Sequence, residues 1–250
     1  NALREGGENG IESVTIVLFN KQLNNCKSVL TDVNGFYQFS NVLNGEYDLI
    51  EAFGQSVPTP DVCTPAETDP TDYISTTPNL RTIIVNNLPA QQNFGDYEGS
   101  KIEGTVFNDN GIGSGTAHDG IKNGNETGVQ GTIVKALTSS NSLIEQTSAN
   151  ADGKYTLYVP KSVVADGGTI KIQETNNPSF ITTGGNSGTT GGTYDKGTDI
   201  TTFINSVGTV YTGVNFADVQ ESTFSTDGSQ NVLPGATAFF QHTFEAKTSG

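Results

Sequence analysis

The sequence predicts an all-β chain built from tandem β-sandwich modules. Its apolar residues come in short runs rich in Val, Ile, Phe and Tyr, with no long helical stripe among them. Between the runs lie 30 glycines and many Ser, Thr and Asn residues, a mixture that favours tight turns over helices. The pairs Asn34-Gly35, Asn44-Gly45 and Asp152-Gly153 interrupt extended runs, and both residues of each pair are expected to take the positive φ of a hairpin turn.

With 250 residues the chain can hold two ordinary domains and part of a third. Two stretches repeat one plan, which places modules at 1–97, 98–218 and 219–250. The first copy runs from a Gly- and acid-rich loop (4–10) through a strand (14–19) and a glycine turn (32–37) to a strand ending at Glu51, and it closes at 92–97. The second copy has the same parts at 119–128, 132–137, 151–155, 170–174 and 214–218. Residues 58–78, rich in Pro and acids, read as a long loop held by Cys63, and the Gly/Thr-rich 182–197 as its counterpart connector. After Asp218, Leu233-Pro234-Gly235 makes a turn, and Ala238, Phe240, His242, Phe244 and Ala246 alternate onto one strand face, as at the opening of a third sandwich.

Several functions are excluded by composition. The formal charge of -15, from 27 acidic and 12 basic residues, repels a phosphate backbone, and no Lys/Arg stripe offsets it, so nucleic acid is not a partner. No apolar run approaches the roughly 20 residues that span a bilayer, so this stretch holds no membrane span. No charged-then-apolar segment opens the chain and it contains no Met, which leads us to expect a processed piece of a longer polypeptide. Cys26 and Cys63 are an even pair in a chain of secreted composition, and we expect a disulfide that closes a long loop in the first module; two free thiols are the alternative. There are two histidines, too few for a zinc site, and no nucleophile elbow or phosphate-cradling loop, so no catalytic residue is assigned and no enzyme is expected.

The run Ile102-Glu103-Gly104-Thr105-Val106-Phe107-Asn108-Asp109-Asn110-Gly111, followed by Asp119-Gly120 and Gly124-Asn125-Glu126-Thr127-Gly128-Val129, resembles the opening of the B-type repeats of serine-aspartate repeat adhesins. Arg4-Glu5-Gly6-Gly7-Glu8-Asn9-Gly10-Ile11 resembles the same opening without its first strand, and the last piece resembles a conserved repeat of bacterial surface proteins. The resemblance implies immunoglobulin-like or prealbumin-like sandwiches in an extracellular protein of a bacterial cell or spore surface. The function it implies is that of a stalk segment or filament protomer, since relatives occur in spore appendages and extracellular filaments. An adhesin binding a host protein or glycan through its long loops is the alternative. A missing first strand leaves a sheet edge open, so self-association with a neighbouring subunit, or residues upstream of Asn1, are the expected partners.

The resemblance also implies calcium in the acidic opening loop. The matching oxygens are those of Asp109, Asp119, Asn123 and Glu126, with Glu5 and Glu8 in the first module; an ordinary solvated acidic loop is the competing reading. Residues 112–118 are inserted relative to the family pattern, and Asn123 stands where an aspartate is common. Related collagen-adhesin B-type domains imply a second chemistry, an intramolecular isopeptide bond, with Lys101, Glu174 and Asn215 as its parties here. Glu51 and Glu174 share strand parity with apolar neighbours, so each carboxylate can point inward, where burial would raise its pKa; a strand-end Glu that simply reaches solvent is the competing reading.

Overall fold

The computed structural model describes residues 8–54, 63, 66–225 and 228–247. Its strands are β1 (Thr15–Asn20), β2 (Asn25–Leu30), β3 (Gly45–Glu51), β4 (Tyr73–Ser75), β5 (Leu80–Val85), β6 (Asp96–Asn108), β7 (Ile133–Thr138), β8 (Leu143–Ser148) and β9 (Lys154–Pro160). They continue with β10 (Thr169–Thr175), β11 (Phe180–Ser187), β12 (Thr193–Asp195), β13 (Ile200–Ile204), β14 (Val210–Tyr211), β15 (Val214–Gln220), β16 (Thr223–Phe224) and β17 (Phe244–Glu245). One 3-10 turn, at Gly188–Thr190, is the only helical element among the described residues. None of it is long and apolar enough to cross a membrane.

The chain divides into two units. The first is residues 1–100 with the short segments 160–162 and 207–209; the second is the remainder. Each unit contains the same antiparallel sheet. Its order is β2-β1-β3-β5 in the first unit and β8-β7-β10-β13 in the second, where β12 adds an edge strand. The alternation of β7, β9 and β10 turns Val134, Ala136, Tyr155, Leu157, Val159, Ile170 and Ile172 inward, and all are buried. The second layer of this unit is β11-β15-β6-β14, with β9 also paired to β6. Strand β15 runs parallel to β6, placing Phe216 beside Val106 and Asp218 beside Asn108.

In both units the turn after the second strand of the sheet is held by an Asx residue. Asp32 Oδ1 accepts the N–H groups of Asn34 and Phe36 at 2.8 and 2.9 Å. Asn150 Oδ1 accepts those of Asp152 and Lys154 at 3.0 and 2.9 Å. Only the glycine of each turn is left-handed, Gly35 at φ 71 and Gly153 at φ 74, whereas Asn34 and Asp152 are not. This corrects the expectation of paired positive φ: the side-chain acceptor supplies the reversal, leaving one residue to take the unusual conformation. A second glycine packs under each turn. A Cβ on Gly10 would lie 2.0 Å from the Asn34 carbonyl carbon, and one on Gly128 would lie 2.0 Å from that of Asp152.

The units differ in their other layer. Tyr155 and Phe216 are buried, and the Tyr155 hydroxyl donates to the Val214 carbonyl at 2.6 Å. The same bond recurs in the first unit, from the Tyr37 hydroxyl to the Gln92 carbonyl at 2.7 Å. Yet Tyr37, Phe39 and Phe94 are only partly buried, and the segment after Tyr37 forms no strand. In the second unit β9 takes its partner from β6, and no described segment of the first unit plays the part of residues 101–108.

Cys26 in β2 is bonded to Cys63, with Cα atoms 5.4 Å apart and a sequence separation of 37. Segments 58–62 and 64–65 of the expected long loop lie outside the described residues. Beyond β15, Ala236 N–H closes the expected Leu233 turn at 3.0 Å, and β16 pairs with β17. Phe224, Phe239, Phe240 and Phe244 there are exposed, and His242 stacks on Phe224 at 5.1 Å.

Two variants test these local constraints in separate units. Closing a loop of this length restricts the unfolded chain by about 4 kcal/mol, so Cys26→Ser should lower the melting temperature of the first unit strongly and leave the second unit in place. Gly128→Ala should destabilise the second unit by roughly 1–3 kcal/mol, because backbone and not a flexible side chain must move. Calorimetric scans of the full chain would check both.

Candidate functional site

The inward parity of β10 carries Glu174 into the sandwich in register with Ile170 and Ile172, and Glu174 is 3% exposed. Strand β15 does the same for Asp218, which follows Phe216 inward and is 0% exposed. Asp199 is the third member. It precedes β13 in a left-handed conformation, φ 56, and its carbonyl accepts the Glu174 N–H at 3.2 Å. One carboxylate oxygen from each of the three lies within 4.8 Å of the others, the single such grouping among the described residues.

Hydroxyl and amide groups line the rim. The Tyr194 hydroxyl donates to Asp199 Oδ1 at 2.6 Å, and the Thr182 hydroxyl donates to Asp199 Oδ2 at 3.0 Å. The Asn176 amide reaches Glu174 Oε2 at 2.7 Å and Asp199 Oδ2 at 3.2 Å; with its nitrogen inward it donates to both, and with its oxygen inward it adds a fourth oxygen ligand. Three carboxylate oxygens of the cluster are buried without a hydrogen-bond partner: Glu174 Oε1 and both oxygens of Asp218.

Burial dominates the electrostatics. It pushes Glu174 far above the usual carboxylate range, aided by a hydrogen bond to Asp199 and by the charge of Asp218. Burial, with the neighbouring Asp199, pushes Asp218 up to about 7. The Tyr194 hydroxyl is raised by burial and by its bond to Asp199.

The first unit carries a related cluster. Glu51 is 2% exposed, and its N–H bonds the Asn79 carbonyl at 2.8 Å, as Glu174 bonds that of Asp199. Asp96 stands in its own unit where Asp218 stands in the second, within the matching sequences Asn93-Phe94-Gly95-Asp96 and Asn215-Phe216-Ala217-Asp218. Asn79 therefore replaces Asp199, and Asp69 restores the third carboxylate by accepting the Asn79 amide at 2.5 Å. Burial raises Glu51 and Asp96, and Glu51 is further raised by Asp96 and lowered by Arg81. The cross-strand neighbour of Leu49 is Arg81, whereas that of Ile172 is Thr201, so a cation in one unit is replaced by a neutral hydroxyl in the other.

The acidic opening loop is arranged differently. Asp109 Oδ2 accepts the Gly120 N–H at 2.9 Å and the Thr183 hydroxyl at 2.6 Å. Glu126 accepts the N–H groups of Gly111 and Asn123 at 3.1 and 2.8 Å. Asp119 accepts the Ile121 N–H and the Asn123 amide, and the Asn123 oxygen takes the Thr116 N–H, each within 2.9 Å. Most of these oxygens accept donors from the loop, Asp109 Oδ2 also accepts one from Thr183 of β11, and Asp109 Oδ1 is buried without a hydrogen-bond partner; the acids of the loop do not form a three-carboxylate cluster. Glu8 is exposed, and Glu5 lies outside the described residues.

The three residues assigned to an isopeptide bond are not brought together. Lys101 pairs with Glu103 at 2.5 Å, and Asn215 Oδ1 accepts the Thr105 N–H at 2.9 Å, leaving Glu174 to its carboxylate neighbours. Sequence reasoning reached Glu51 and Glu174 but missed Asp96, Asp199 and Asp218. Parity with Phe94 and Phe216 was the available signal for Asp96 and Asp218; Asp199 and Asp69 sit in loops and had none.

Fold and site together define a class, that of tandem all-β sandwich modules with carboxylates buried at the ends of their inner strands. Residues 1–92 match the SdrD B-like domain family, and the second unit repeats the sheet order of the first. Serine-aspartate repeat-containing protein D of Staphylococcus aureus (strain Newman) is 26% identical over 209 residues, covering 82% of this chain and 15% of the relative. Serine-aspartate repeat-containing protein F of Staphylococcus epidermidis (strain ATCC 12228) is 28% identical over 160 residues, covering 62% of this chain and 9% of the relative. The chain thus spans about a seventh of the first relative's length or less. Among solved structures, the minor pilin GBS52 of Streptococcus agalactiae aligns at a TM-score of 0.30 and 9% identity, covering 94% of this chain and 91% of the pilin, a likeness too slight to inform function.

The buried carboxyls set a pH dependence. A carboxyl whose folded pKa is raised holds its proton more firmly folded than unfolded, so its stabilisation is complete below the unfolded value near 4.5 and is lost as pH rises through the folded value. In chelator, the second unit should therefore melt at falling temperature from pH 5 to pH 9, with a slope of up to about 1.4 kcal/mol per pH unit for each proton released. Glu174→Gln should flatten that slope, which thermal scans across the pH series would show.

Proposed function

We propose that this chain is a structural segment of a bacterial surface stalk or filament, in which sandwich modules in series bear load and space other parts of a longer polypeptide. The observation that carries this reading is the repetition of one module with its mechanical determinants intact. Both units have the same sheet order, the same glycine-seated Asx turn and the same tyrosine-to-carbonyl bond. The family of residues 1–92 supports an extracellular, cell-surface setting, as does a disulfide, which persists in oxidising compartments. The half-buried Tyr37, Phe39 and Phe94 offer a place for a strand with the alternation of Ile102 and Val106, whether from residues upstream of Asn1 or from a neighbouring subunit.

Single-molecule stretching of the full chain tests the mechanical reading. Two unfolding steps are expected, and reductant should lengthen the first unit's step by about 130 Å, the reach of the residues locked between Cys26 and Cys63. Gradual extension without discrete steps would contradict a load-bearing role. Electron microscopy of the natively isolated protein separates the two forms: a regular axial repeat marks a filament protomer, and isolated beaded rods mark a stalk.

A further inference from the structure

We propose that Glu174, Asp199 and Asp218 form a binding site for a hard divalent cation of the calcium type, inside the second unit and apart from the acidic opening loop. Three features point to it. The first is convergence, with three carboxylate oxygens within 4.8 Å of one another, a spacing compatible with a common ion at the 2.3–2.6 Å typical of calcium–oxygen bonds.

The second is an unmet demand. Asp218 is fully buried and neither of its oxygens has a hydrogen-bond donor, and Glu174 Oε1 in the same cluster is buried and unpartnered too. A buried carboxylate is ordinarily paired, coordinated or neutralised, because leaving it charged and alone costs several kcal/mol. The third is a comparison inside the molecule. The related cluster of the first unit has a basic side chain acting on it, Arg81, whereas no basic group acts on Glu174 or Asp218 and the matching position is Thr201. The second unit thus keeps the acids and lacks the protein cation.

The remaining ligands are at hand. Asn176 turned oxygen-inward and the Thr182 and Tyr194 oxygens would bring the shell toward the six to eight oxygens calcium takes. Asn176, Thr182 and Tyr194 are only partly buried, so the ion has a route in from that side. The all-oxygen, carboxylate-rich set selects calcium or a similar hard ion over zinc or copper.

Terbium(III), a luminescent calcium substitute excited through tyrosine, reads the site directly, since Tyr194 touches Asp199 and the chain has no Trp to interfere. Titrated into the full chain near pH 8, terbium should give saturable luminescence that calcium displaces, and calcium should raise the melting temperature of the second unit. Asp218→Asn should weaken binding by about tenfold or more, because one charged ligand is lost. Asp199→Asn, which reproduces the Asn79 of the first unit, should do the same in a background the fold already tolerates. Asp119→Asn in the opening loop should leave binding unchanged. Thr201→Arg should abolish the calcium response while keeping the unit folded by circular dichroism. No calcium-displaceable luminescence in the parent chain would overturn the site. Loss of binding in Asp119→Asn with full binding in folded Asp218→Asn or Asp199→Asn would overturn it equally, and would return the ion to the loop.

Discussion

The parallel pairing of β15 with β6 is the interaction on which the second unit depends. It closes the layer opposite the β8-β7-β10-β13 sheet and seals Phe216 against Tyr155 and Tyr194. It also delivers Asp218 into the interior beside Glu174, because a strand with Val214 and Phe216 facing inward must turn Asp218 inward too. The register leaves no choice, since a slip by one residue would expose both the aromatic and the acid. Packing and charge burial are therefore one event in this unit. Where the described residues of the first unit offer no counterpart to β6, the equivalent aromatics stay half-covered and the segment after Tyr37 remains outside any strand.

Burying acids at the end of an inner strand is costly, and the two units meet the cost with different residues. In the first, Arg81 lies over Phe94 at 5.5 Å and lowers the pKa that burial has raised at Glu51. Its guanidinium combines a cation with a planar surface for the aromatic ring. In the second, Thr201 provides neither, and the acids are left to share protons or to hold an ion. The two outcomes differ in what controls them: an arginine is permanent, whereas protons and metal ions come and go with the medium.

Much of the fold was legible in the sequence because it rests on short-range rules. Alternation along residues 170–174 and 214–218 identified inner strands, and glycine after Asn or Asp marked the turns at Gly35 and Gly153. The turn geometry is not carried by the Asn-Gly and Asp-Gly pairs, since the Asx acceptors that set it, Asp32 and Asn150, lie two residues before Asn34 and Asp152. The Cys26–Cys63 bond was legible from cysteine count and composition alone. The acidic opening loop looked like a ligand set because acids, Asn and Gly crowd together there. Proximity in sequence, however, does not say whether oxygens face one another or face backbone N–H groups, and in Glu126 and Asp119 they face N–H groups.

The carboxylate clusters show why the rest was hidden. Two of the three acids occupy equivalent strand positions in both units, but the third arrives as Asp199 just before β13 in one and as Asp69, through Asn79, in the other. No spacing rule links these two positions. What they share is a place in space, at the end of an inner strand where the Glu174 and Glu51 N–H groups bond the carbonyls of Asp199 and Asn79. That backbone contact holds the preceding loop against the carboxylate whatever residue stands there, so an acid from another point in the loop can take over the role. A module built this way can drift in sequence, insert residues into its loops and still bring acids to the end of the same inner strand, because the sheet register and not the loop sequence sets where they gather.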